Sequence, residues 1–150
     1  MGIAYRLDHI LGLTVTVFDG RITGEDWRAT VVKVFSDPEW PPGRLNLTDL
    51  RTANASELTV ADRAEIFAIN ALHADKLVGM KSAAIGGANF EAARDFERED
   101  QSSGLRLIPF DDLGPACIWL GINLEVARSM IDDLRRELRE PRPNRVDNPA

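Results

Sequence analysis

Asp49 and Arg51 close a predicted strand carrying Leu45 and Leu47, and Ser56 and Thr59 follow within one loop. A carboxylate, a guanidinium and two hydroxyls in that order offer charge-assisted hydrogen bonds. The carboxyl end of a strand is also where open parallel sheets place ligands. One reading is therefore a polar contact site made of Asp49, Arg51, Ser56 and Thr59. The plainer reading is a loop stitched by an ion pair, with Thr59 serving as a helix cap.

The other reactive side chains do not converge. Gly86-Gly87 before a helix can present backbone N–H groups to an anion, yet it lacks the full dinucleotide fingerprint and the phosphate-loop lysine, so a tight turn is the simpler role. His9 and His73 are the only histidines and fall in different elements, without a metal-ligand or triad spacing. Cys117, the only cysteine, sits beside Ile118 and Trp119 and reads as a buried thiol. It can form neither an internal disulfide nor a cysteine-based zinc site. Asp111-Asp112 and Asp132-Asp133 are neighbours in sequence, and adjacent helical residues do not face each other. We expect no catalytic residue, no metal and no cofactor, and so no enzyme.

Composition narrows the field further. The chain has 150 residues and a net charge of -6, with 44% hydrophobic and 28% charged residues. That suits one globular domain. An acidic chain without a basic run argues against nucleic acid and anionic membranes as partners. No apolar run approaches the ~20 residues of a membrane span, and no secretory leader is evident, so we expect a cytoplasmic protein without membrane insertion.

The elements that position these residues follow from periodicity. Ala4 to Asp8 and Leu13 to Phe18 read as a hairpin, the second strand alternating Leu13, Val15 and Val17 with Thr14, Thr16 and Phe18. Thr23 starts a helix whose Trp27, Val31, Val34 and Phe35 face a core, and prolines end it. Leu45 and Leu47 belong to a strand ending near Asp49, with a loop from Arg51 to Leu58. Thr59 caps a helix with an apolar surface of Val60, Ala64, Phe67 and Ala71, broadened by Ile66 and Ile69. Lys81 to Ile85 is a strand, and Asn89 caps the helix of Phe90, Ala93 and Phe96. Leu105 to Phe110 is a final strand that either ends at Pro109 or lies at an edge, since proline cannot donate a ladder hydrogen bond. Asp112 to Gly121 encloses a short helix, and another begins near Asn123.

The order is β-β-α-β-α-β-α-β-α plus an extra C-terminal helix. It predicts an α/β domain with a mostly parallel β-sheet. The alternating second strand suggests helices mainly on one face. We divide the chain into a domain over residues 1–121, a helical extension over 122–140 and a disordered tail over 141–150.

Several segments, in this order, resemble the SpoIIAA-like, STAS-related family of small bacterial proteins. They are Val17-Phe18-Asp19-Gly20-Arg21-Ile22-Thr23, Ser36-Asp37-Pro38, Leu45-Asn46-Leu47-Thr48-Asp49-Leu50-Arg51, Ala93-Arg94-Asp95-Phe96-Glu97 and Ala116-Cys117-Ile118-Trp119-Leu120-Gly121. The resemblance spans roughly Ile3 to Gly121. It implies a STAS-like sheet and, for members that antagonise anti-sigma factors, regulation by phosphorylation of a serine after the central strand. Ser56 occupies about that place, with Asn54 where the family carries an acidic residue and Glu57 where it carries glycine. A phosphate on Ser56 would meet the Glu57 carboxylate. Some relatives are grouped with lipid-binding SEC14-like domains.

Two functions are therefore carried forward. The first is a non-catalytic regulatory or protein-binding module that docks a protein partner at Asp49, Arg51, Ser56 and Thr59. The alternative is a carrier of a small apolar, lipid-like ligand in a pocket lined by Trp27, Phe67 or Phe96. The stripe Ala127, Ile131, Leu134 and Leu138 on the last helix has two readings, packing on its own domain or pairing with a second copy; because the fold already closes without this helix, we expect the pairing, which would make a homodimer.

Overall fold

A computed structural model describes residues 2–100 and 104–140. Its five strands are β1 (Ile3–Asp8), β2 (Leu13–Arg21), β3 (Leu45–Asn54), β4 (Lys81–Ile85) and β5 (Arg106–Phe110). They lie in the order β1-β2-β3-β4-β5, with β1 antiparallel to β2 and every later pair parallel. The mostly parallel α/β sheet is thus present, and Pro109 lies on an edge strand, where no neighbour needs its missing N–H.

The described residues form six α-helices, α1 (Gly24–Ser36), α2 (Val60–Leu72), α3 (Ala74–Leu77), α4 (Phe90–Glu99), α5 (Leu113–Leu120) and α6 (Leu124–Arg139). Thr23 and Thr59 each build a capping box, accepting from the backbone of Asp26 and Asp62 while those carboxylates accept in return. Gly121 ends α5 with φ 77°, a conformation glycine adopts without strain. Asn123 caps α6 through its side chain.

Helices cover both faces of the sheet, which corrects the expectation of helices mainly on one face. Leu13, Val15, Val17, Leu47, Ala83 and Ile85 point to one side and pack on α5 and α6. Thr14, Thr16, Asn46, Thr48 and Ser82 point to the other, toward α1, α2 and α4. The reason lies in α6. Its Ala127, Ile131 and Leu134 are buried in the core shared with the sheet, and Leu138 packs against it. Of the two readings of this stripe, packing on its own domain is the one present, and the dimer role is corrected because the apolar face is already covered by its own chain. Nor is α6 an extension to a closed domain, since it completes the core. The tail assigned to residues 141–150 lies outside the described residues.

Three local expectations also change. β3 runs on through Arg51 to Asn54, where a loop was expected, because residues 52–54 pair with residues 19–21 of β2 beyond a register shift. The inner face of α2 is formed by Arg63, Ile66, Phe67 and Asn70, while Val60, Ala64 and Ala71 are exposed. Asn89 does not cap α4 through its side chain; its amide donates to the carbonyls of Leu50 and Ala53 at 2.7 and 3.0 Å, tying the turn before α4 to β3.

Candidate functional site

Between the sheet and the helices α1, α2 and α4 lies a partly open cavity of about 320 Å³. That is within the range of small-molecule sites. Its floor is made by strand alternation. The register sets Thr14 beside Asn46 and Asn46 beside Ser82, and in the next row Thr16 beside Thr48. Three adjacent strands thus present hydroxyl and amide groups where a sheet packed by helices ordinarily presents branched aliphatics.

The helical wall is apolar. Trp27, Val31, Val34 and Phe35 of α1 border the cavity, as does Phe96 of α4. No α1 side chain is fully buried, because this face looks onto open space. Trp27 lies 5.7 Å from Phe96 between ring centroids, and Phe96 lies 4.8 Å from Phe67. Of the three aromatics expected at a pocket, Trp27 and Phe96 border it. Phe67 does not border it and packs against Phe96.

The polar groups of the cavity divide in two. Thr30 donates to the Asp26 carbonyl at 2.9 Å, and Asn89 is held by β3. Among the described residues, the hydroxyls of Thr14, Thr16, Thr48 and Ser82 and the amide of Asn70 make no side-chain hydrogen bond. Thr14, Ser82 and Asn70 are only 5%, 6% and 8% exposed. No fully enclosed side-chain nitrogen or oxygen among the described residues lacks a partner, so these free groups are ones that open into the cavity. Polar groups that open onto an otherwise apolar-walled cavity can exchange water for the donors and acceptors of a ligand, which makes a cluster of them informative.

The residues singled out in the sequence form a different structure. Asp49 is 0% exposed and points to the α6 side, away from the cavity, as the register of Val17 with Asp49 requires. Its carboxylate accepts from the Arg51 backbone at 2.9 Å, from Arg51 Nε at 3.0 Å and Nη2 at 2.9 Å, and from Arg135 Nη2 at 2.6 Å. Burial pushes this carboxyl upward. The bonds and charge of Arg51, with Arg135, outweigh burial and hold it below the usual carboxylate range. Nearby, Asp19 accepts from Thr52 at 2.6 Å and pairs with Arg139 at 2.7 Å, and the Arg139 bond leads the effects that lower its pKa. These pairs fasten α6 to the ends of β2 and β3.

Ser56 is exposed, in a turn closed by its N–H donating to Asn54 Oδ1 at 3.1 Å. Thr59 is taken up by its capping box, and Glu57 pairs with Arg21. The structure therefore separates the expected quartet into an internal ion-pair cluster and an exposed helix entrance. Elsewhere, His9 meets Glu39 at 2.9 Å on the surface, and His73 stacks on Phe35 at 4.1 Å. Cys117 is buried, which pushes its thiol pKa up. Gly86 permits a close turn: a Cβ there would stand 2.4 Å from the Phe90 Cα. No helix among the described residues is long and apolar enough to cross a membrane.

Sequence reading missed Thr14, Thr16, Asn46, Thr48, Ser82 and Asn70. A signal was present, in small polar residues two apart on neighbouring strands opposite amphipathic helices. Compared with protein-family models and with curated proteins, the chain matches none.

Proposed function

We propose that this domain binds and carries a small, largely apolar molecule in the cavity between the sheet and α1, α2 and α4. The observation that carries the reading is the cavity itself, about 320 Å³ with an apolar helical wall and a polar floor whose hydroxyls have no side-chain partner among the described residues. Such a surface solvates a molecule at both its apolar and polar parts. A resemblance to SpoIIAA-like proteins grouped with SEC14-like lipid binders fits the same proposal. The protein-docking reading draws less support, because Asp49 is sealed and Arg51 is occupied by it.

Native mass spectrometry of the full chain, purified gently from its own cells, tests the proposal. The expected result is a folded mass exceeding that of the polypeptide by one small molecule, which leaves on unfolding. A folded protein carrying no such mass, or carrying a phosphate on Ser56 with no small molecule, would overturn the carrier reading and favour the regulatory one.

A further inference from the structure

We infer that the ligand is uncharged: an alcohol, amide or similar neutral hydrogen-bonding group on an apolar body, its polar end lying on the Thr14–Asn46–Ser82 row. The inference rests on the carrier reading and specifies what the site selects.

The floor offers neutral donors and acceptors only. Threonine and serine hydroxyls both donate and accept, as does the Asn70 amide. Asn46 donates to the Met80 sulfur at 3.5 Å, a weak acceptor, and its own carbonyl oxygen has no protein partner among the described residues. Strand spacing of about 4.8 Å makes the row about 10 Å long, so a ligand group can bridge two strands.

Charge is balanced around the cavity. Among the described residues bordering it, only Arg63 and Asp95 have acidic or basic side chains. Arg63 is held by Glu99 at 2.8 Å, and Asp95 faces Arg98 at 3.7 Å. An ionised headgroup placed on the floor would lose its water without gaining an opposite charge, which is strongly unfavourable. A neutral head exchanges water for the free hydroxyls at little cost, and its chain meets Trp27, Val31, Phe35 and Phe96.

The test is calorimetric titration of the full chain with three probes of equal length, 1-decanol, decanoate and decylammonium, at neutral pH. Tryptophan emission reports the site, since Trp27 and Trp40 border the cavity. Decanol should bind at least about tenfold more tightly than either ion. Removing hydroxyls in a Thr14→Val, Ser82→Ala double variant should weaken decanol binding about tenfold. The melting temperature should hold or rise, because the lost hydroxyls have no protein partner. Decanoate or decylammonium binding as tightly as decanol, with a tryptophan response, would overturn the neutral-ligand inference and leave the carrier reading standing. Decanol binding unchanged in the double variant would overturn the role of the row. No binding by any probe would sink the carrier reading, and this inference with it.

Discussion

Replacing Asp49 by asparagine isolates what the Asp49 cluster does. The carboxylate is fully buried and receives four hydrogen bonds from Arg51 and Arg135. Asparagine keeps the shape, supplies one accepting oxygen and removes the nearest counter-charge, leaving Arg51 with Asp112 at 3.9 Å and Arg135 with Asp132 at 3.8 Å and Asp19 at 4.0 Å. Breaking a buried ion pair from one side costs about 3–5 kcal/mol, reduced where the surviving charges reach water. Arg51 and Arg135 side chains are 32% and 16% exposed, so we expect a loss of about 2–4 kcal/mol. In a chain of this size that lowers Tm by about 5–15 °C. Urea unfolding followed by circular dichroism measures it, with an Arg135→Met variant and the double variant closing a cycle. The pH dependence has a definite sign. The folded-state pKa of Asp49 is depressed, so its stabilisation is complete above the ordinary carboxylate range and is lost as pH falls below about 4 toward the folded value. The acid-induced loss should therefore be smaller in the asparagine variant. A cost under about 1 kcal/mol, with decanol binding altered instead, would refute the assignment of Asp49 as an anchor facing away from the cavity.

Three further outcomes are expected. Ala84 borders the cavity, so Ala84→Leu should occupy part of it, raising stability by about 0.5–2 kcal/mol and weakening ligand binding; a loss of about 1–3 kcal/mol would indicate a core already full. Ile131→Ala should cost about 2–5 kcal/mol without changing the assembly state in sedimentation, whereas changed assembly at unchanged stability would make the α6 stripe an interface. Tyr5 is the only tyrosine, so its alkaline absorbance titration can be read directly. Burial first, then its bond to Asp37 at 2.8 Å, pushes its pKa up to about 12, and a midpoint near 10 would contradict that contact.

Local rules made much of this fold legible. The capping boxes at Thr23 and Thr59, the stop at Gly121 and the edge position that Pro109 permits each depend on a few adjacent residues, and each is present. What the chain hid depends on which face meets which neighbour. The α6 stripe has the same spacing whether it packs at home or on another copy, and only the apolar row of Leu13, Val15 and Leu47 opposite it decides. Asp49 and Arg51 suggested a contact site because Arg135, which completes the cluster by bonding Asp49, lies 86 positions from it. Thr14 and Thr16 looked like solvent-facing residues of an alternating strand. Their role emerges only when β3 and β4 set Asn46, Thr48 and Ser82 beside them beneath α1 and α4.

The central claim is that ligand chemistry belongs to the cavity and not to the strand end at Asp49. Two-dimensional amide NMR of the labelled protein titrated with 1-decanol addresses it residue by residue. The account predicts saturable shifts at Thr14, Asn46, Thr48 and Ser82 and in the side-chain amides of Asn46 and Asn70, with Arg51, Ser56 and Thr59 unmoved. Shifts concentrated at Arg51, Ser56 and Thr59, or no saturable shifts at all, would contradict it.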